Sequence, residues 1–117
     1  MRATPEKVIQ AQVESYLRAR RIPYFRVPDG VYRSIRKMGR GDSSKASHAL
    51  TGFPDLSLHK VMPSGEVHSL FIELKSAKGV LSAEQKKWQA HLATKVARSF
   101  EEAVKLIDQF WLSKAVD

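Results

Sequence analysis

The sequence predicts one mixed α/β domain over residues 1–117, with its elements in the order α-β-β-β-α-β-α. Three observations predict it. Apolar residues recur at helical spacing near both ends of the chain. Two strand-length runs in the middle are separated by a Pro-Ser-Gly turn. Ser-x-x-Gln and Ser-x-x-Glu signals open helices in the second half.

Thr4 and Pro5 read as the N-cap and first residue of the opening helix. Ile9, Val13, Tyr16 and Leu17 carry it from about residue 5 to residue 20. Residues 22–27, "IPYFRV", form a short strand, and Pro23 assigns it to an edge or a strand start. Residues 28–52 form a long loop rich in Gly, Ser and basic side chains. Loops of this length in compact domains are functional or mobile. Residues 55–61 and 67–74 are two strands joined by "MPSGE" into a hairpin, with His59 and His68 placed to pair across it. Ser82 and Gln85 make a capping box that opens a helix reaching about Ala93. "TKVAR" is a short strand, and Ser99 with Glu102 makes a second capping box. Ala103, Val104, Ile107, Phe110 and Trp111 give the closing helix an apolar face.

Composition narrows the function classes. A hydrophobic content of 43% excludes disorder by composition, and the absence of cysteine excludes disulfides and thiolate metal sites. No apolar run approaches membrane-spanning length, and "MRATPEK" has no apolar h-region. The expectation is a soluble protein of a reducing cytoplasm with no membrane partner. Twenty Lys and Arg against 12 Asp and Glu give a net charge of +8. That excess points to a polyanion, nucleic acid first; the plain alternative is a basic solvated surface.

The chemistry concentrates in "GFPDLSLHKVMPSGEVHSLFIELK", residues 52–75. Side chains alternate along a strand, so Phe71, Glu73 and Lys75 share one face and Leu70, Ile72 and Leu74 the other. The hairpin brings Asp55 beside Glu73. Two close carboxylates raise one another's pKa, and a divalent cation relieves the conflict. Hard oxygen donors suit Mg²⁺ or Mn²⁺. Lys75 would then stand beside the metal to meet a phosphate or orient a water, as metal-assisted phosphodiester hydrolysis requires. The ordinary alternative is a solvated hairpin end with a Glu–Lys pair of little energetic worth. On the opening helix, Glu6 and Gln10 project from the polar end of the stripe that continues as Val13 and Leu17. Glu6 either offers a third carboxylate or only complements the helix dipole.

Together these residues resemble the VRR-NUC family of the PD-(D/E)XK nuclease superfamily. The resemblance rests on Glu6 and Gln10, "GFPDL" at 52–56, "FIELK" at 71–75, "GVLSAEQ" at 79–85 and "VARSFEEA" at 96–103, and it spans nearly the whole chain. It implies a restriction-endonuclease-like core, a mixed central sheet flanked by helices. It also implies that Asp55, Glu73, Glu6 and the Leu74 carbonyl hold Mg²⁺ or Mn²⁺, that Lys75 is the catalytic lysine, and that Gln10 supports the site. Gln85 falls where the family has a Gln; its capping role competes there with a site-facing one. Between the Trp88 helix and Val96 the family usually has a Gly-containing turn and a fuller strand. Here "HLATKVARS" runs directly on.

Arg33, Arg36, Lys37, Arg40 and Lys45 crowd the loop that leads to Asp55. They are read as a clamp on the DNA backbone that carries no sequence preference, against a merely solvated loop. Tyr32 stacks on a base or packs locally, and His48 lies in the same loop. The four histidines show no metal-ligand spacing. The expected function is a metal-dependent DNA endonuclease. By resemblance to small stand-alone phage and bacterial members, it cuts branched DNA such as four-way (Holliday) junctions as a homodimer in the bacterial or infected-host cytoplasm. The closing helix, with Phe110 and Trp111, offers a dimer interface. The alternatives are a non-catalytic DNA-binding module of the same fold, a nuclease acting on flaps or other DNA, and a small basic RNA-binding protein. The last lacks an aromatic-rich strand motif.

Overall fold

The structure, a computed structural model, describes residues 4–26 and 52–112. The basic loop, with Tyr32, Arg33, Arg36, Lys37, Arg40, Lys45 and His48, lies outside the described residues.

Helix α1 spans Pro5–Ala19. Thr4 Oγ1 accepts from Lys7 N–H at 3.2 Å, and Pro5, which has no N–H to leave unpaired, starts the first turn. Beyond it Arg21 takes φ 55° and turns the chain back, so that Ile22 N–H reaches the Leu17 carbonyl at 2.9 Å. Strand β1 covers only Phe25–Arg26. It is shorter than expected because Pro23 has no N–H and Ile22 spends its own on the helix end.

Strands β2 (Leu56–Val61) and β3 (Val67–Leu74) form the expected hairpin, turning at Gly65 with φ 93°. Then come helix α2 (Ala83–Leu92), strand β4 (Lys95–Ala97) and helix α3 (Phe100–Leu112). The sheet order is β1-β2-β3-β4. The first two pairings are antiparallel and β3–β4 is parallel. A parallel neighbour needs a crossover connection, and α2 supplies it.

One sheet face makes the core. Leu56 opposes Ile72 and Leu58 opposes Leu70, with Leu74 beyond them. Val13 and Leu17 of α1 and Ala103 and Ile107 of α3 complete the same cluster, all fully buried. Each buried Leu or Ile there is worth about 1.5–3 kcal/mol. Phe110 and Trp111, partly buried, pack against this core.

Two local expectations change. His59 and His68 do not pair: His59 opposes Ser69 and Lys60 opposes His68, which sets the histidines on opposite faces. His59 instead contacts Ser69 and Ser57, at 2.7 and 3.1 Å. The second capping box is half made. Ser99 Oγ accepts from Glu102 N–H at 3.1 Å, but the Glu102 carboxylate takes the N–H of Arg98, not of Ser99, at 2.8 Å. The direct run into β4 makes the expected strand, with Ala93 in the left-handed conformation, φ 52°, that a glycine usually supplies at a helix end.

Candidate active site

The strand register decides which side chains meet. With Leu56 opposite Ile72, Asp55 falls opposite Glu73 on the face away from the leucines. Asp55 Oδ2 accepts the N–H of Leu74 at 2.8 Å, which locks the aspartate against the end of β3. Glu73 is 5% exposed. Burial raises the Glu73 carboxyl first, the adjacent Asp55 raises it further, and it is pushed up to about 9. Asp55 is raised too, again by burial first, although bonds from Glu73 and from Leu74 N–H oppose the shift. The pair therefore keeps a proton at pH values where ordinary carboxyls have lost theirs.

Helix α2 places the third member. Gln85 Oε1 accepts from Ser82 N–H at 2.8 Å, and Ser82 Oγ accepts from Gln85 N–H at 3.1 Å, a complete capping box. The same side chain donates through Nε2 to Glu73 Oε2 at 3.1 Å. The two roles that compete in the sequence are both filled, because an amide has an acceptor at one atom and donors at the other. The hold on α2 is slight, since none of its residues is fully buried. Its Trp88 ring meets Phe53 edge-on at 5.0 Å, and Phe53 meets Phe71 at 6.2 Å. Gly52 passes beneath its first turn with φ 84°, where a Cβ would lie 2.7 Å from Gln85 N. Only glycine meets both demands.

These groups line a cleft of about 580 Å³ with Glu6, Lys7, Gln10 and Glu14 of α1, Arg26 of β1, and Lys75. Asp55 and Glu73 are in direct contact. Glu6 stands across the cleft: its charge raises both carboxyls, yet no three His, Cys, Asp or Glu among the described residues converge on one point. The packing of Val13 and Leu17 sets the position of α1 and leaves its first turn on the cleft wall, with Glu6 in the same cleft as the pair. Lys75 is near both, since its charge lowers the pKa of Asp55 and of Glu73. Gln10 lines the cleft and donates to Glu14 Oε2 at 3.2 Å.

Glu14, Tyr24 and Arg26 form a second polar group on the cleft wall that the sequence reading did not find. Tyr24 Oη donates to Glu14 Oε1 at 2.8 Å, and Arg26 Nε lies 3.5 Å from the same oxygen. The four-residue spacing of Glu6, Gln10 and Glu14 was its available signal.

A buried and a half-buried carboxyl in contact, a carbonyl at Leu74 and a nearby lysine combine hard oxygen donors with a cation for developing charge. That set fits a divalent ion, whose charge would displace the proton the pair keeps.

The family model for the VRR-NUC domain matches residues 6–105. A solved structure described as a VRR_NUC domain protein aligns over 100% of this chain and 96% of its own, with a TM-score of 0.65 at 18% identity. A search of curated proteins returns no match. At that identity the structural likeness speaks for the fold, while the family match runs from the first turn of α1 into α3 and takes in every described residue of the acidic centre. The chain belongs to the VRR-NUC family, a nuclease-type domain that processes DNA.

Proposed function

We propose that the chain is a Mg²⁺- or Mn²⁺-dependent endodeoxyribonuclease that hydrolyses phosphodiester bonds in branched DNA, four-way junctions first, as a homodimer. The contact between half-buried Asp55 and buried Glu73, both with raised carboxyls, carries the metal-dependent part of this reading. Asp55, Glu73 and the Leu74 carbonyl would hold the ion, with Glu6 completing the carboxylate set from α1. A bound divalent ion supplies a Lewis acid and lowers the pKa of water. Gln85 keeps the Glu73 carboxylate turned toward Asp55. Lys75 offers its ammonium to the charge that builds on the phosphate in the transition state. The net charge of +8 brings the polyanion to the acidic centre, and Arg33, Arg36, Lys37, Arg40 and Lys45 are the proposed clamp on its backbone.

The junction preference and the dimer rest on resemblance to small stand-alone members and on symmetry: a two-fold dimer matches a two-fold junction. The test is incubation with a four-way junction, a flap, a duplex and single strands, each with Mn²⁺ and with EDTA. Metal-dependent cutting, fastest on the junction, is the expected result. Equal cutting of all four removes the junction preference, and binding without any cutting moves the reading to a non-catalytic DNA-binding module.

A further inference from the structure

The chain leaving the acid-bearing strand is held by a residue that does not line the cleft. After Lys75 it turns through residues 76–79, closed by Gly79 N–H donating to the Ser76 carbonyl at 3.1 Å. Arg98, the residue after β4, reaches across to this turn. Its Nη1 donates to the Ser76 carbonyl at 2.9 Å and to the Gly79 carbonyl at 2.6 Å. Bonds from a charged donor are about twice as strong as neutral ones, and these two tie both ends of the turn to one nitrogen.

Arg98 is fixed in its turn. Its own N–H donates to Glu102 Oε2 at 2.8 Å, so α3 anchors it. The preceding carbonyl, that of Ala97, accepts from Lys75 N–H at 3.0 Å. Lys75 is therefore bracketed, by Ala97 at its own nitrogen and by Arg98 across the turn that follows. The turn also forms the floor on which two cleft side chains rest. A Cβ on Gly79 would lie 3.3 Å from Glu6 Oε1 and 3.3 Å from Lys75 Cδ.

We propose that Arg98 is a positioning residue for the hydrolysis. By clamping both ends of the turn at 76–79 it sets where the Lys75 ammonium and the Glu6 carboxylate stand in the cleft. The proposal rests on the nuclease reading above. It assigns Arg98 no contact with DNA, so binding and turnover separate.

The test compares wild type with Arg98→Ala and Arg98→Lys on the DNA that the wild type cuts, at saturating Mn²⁺, together with amide hydrogen exchange at Gly79. Arg98→Ala is expected to lower kcat on the order of 10- to 100-fold, the scale of a misplaced catalytic group. KM should stay within about threefold, since ground-state binding is untouched. Gly79 exchange should quicken while the α1 and β3 amides keep their protection. Arg98→Lys, which retains charged donors, should recover part of both losses. A folded Arg98→Ala protein with wild-type kcat overturns the proposal. So does a loss confined to KM, or unchanged Gly79 exchange. If the alanine variant does not fold, Arg98→Gln takes its place with the same criteria. A wild type that cuts no DNA overturns the nuclease reading itself, an outcome that needs no variant to recognise.

Discussion

Asp55 and Glu73 face each other across the β2–β3 pair, and the burial around them raises both carboxyls. The consequence has a definite sign. The folded protein keeps a proton on Glu73 up to about pH 9, while the unfolded chain releases it near the ordinary value of 4.5. Over that window the native state binds more protons, so in metal-free protein this pair's contribution to stability is lost as pH rises. Thermal melts in EDTA from pH 5 to pH 9 should show a falling Tm, and Glu73→Gln should flatten the slope. A wild-type slope no steeper than that of the variant would contradict the shift. A divalent ion must expel the same proton, so Mn²⁺ affinity should rise with pH across the range. Gln85 adds a second expectation at this scale. Removing its amide takes away the Nε2 bond to Glu73 and the cap on Ser82 together. Gln85→Ala should weaken metal binding or activity by about 10- to 100-fold, the range for groups that orient a ligand. Ser82→Ala, which disturbs the cap alone, should leave activity near wild type. Equal losses in the two variants would make Gln85 a capping residue only.

At the scale of elements, the site depends on where two helices are set against one hairpin. Gly52 is the tightest of these settings, with a positive φ and backbone of α2 within 2.7 Å of a would-be Cβ. Gly52→Ala should destabilise by at least about 2 kcal/mol, from the left-handed conformation and the clash together. For a domain of this size that is a fall in Tm of roughly 5–10 °C, readable by calorimetry. The elements were largely legible in the sequence, because their signals are local: Thr4–Pro5 for the first helix, Ser82 with Gln85 for the second, alternation for the hairpin. So was the Asp55–Glu73 meeting, since a hairpin has few registers and the leucines choose among them. What stayed hidden was set by distant packing. Nothing near Arg98 announces that its guanidinium will cross to Ser76 and Gly79, because that contact exists only once β4 lies parallel to β3. Helical spacing gives the face a residue shares but not how far the helix end stands from a strand. The bonds of Glu14 to Tyr24 and Arg26 likewise need the turn at Arg21 that brings β1 back along α1.

For the whole molecule, a basic chain gathers Glu6, Glu14, Asp55 and Glu73 in one cleft, and that contrast of field suits a DNA hydrolase of this kind. No helix among the described residues is long and apolar enough to cross a membrane. Phe110 and Trp111 pack against the chain's own core and stay partly exposed. Sedimentation at micromolar concentration should show the proposed two-fold assembly, and a monomer across that range would leave junction cutting without its symmetric basis. The central claim, that the Asp55–Glu73 pair is a metal-dependent catalytic centre, is tested most directly by single-turnover cleavage with Asp55→Asn and Glu73→Gln, which keep shape and remove charge. The expected result is a loss of about a thousandfold or more in each, with DNA binding retained. Wild-type rates in either folded variant at saturating Mn²⁺ would contradict it.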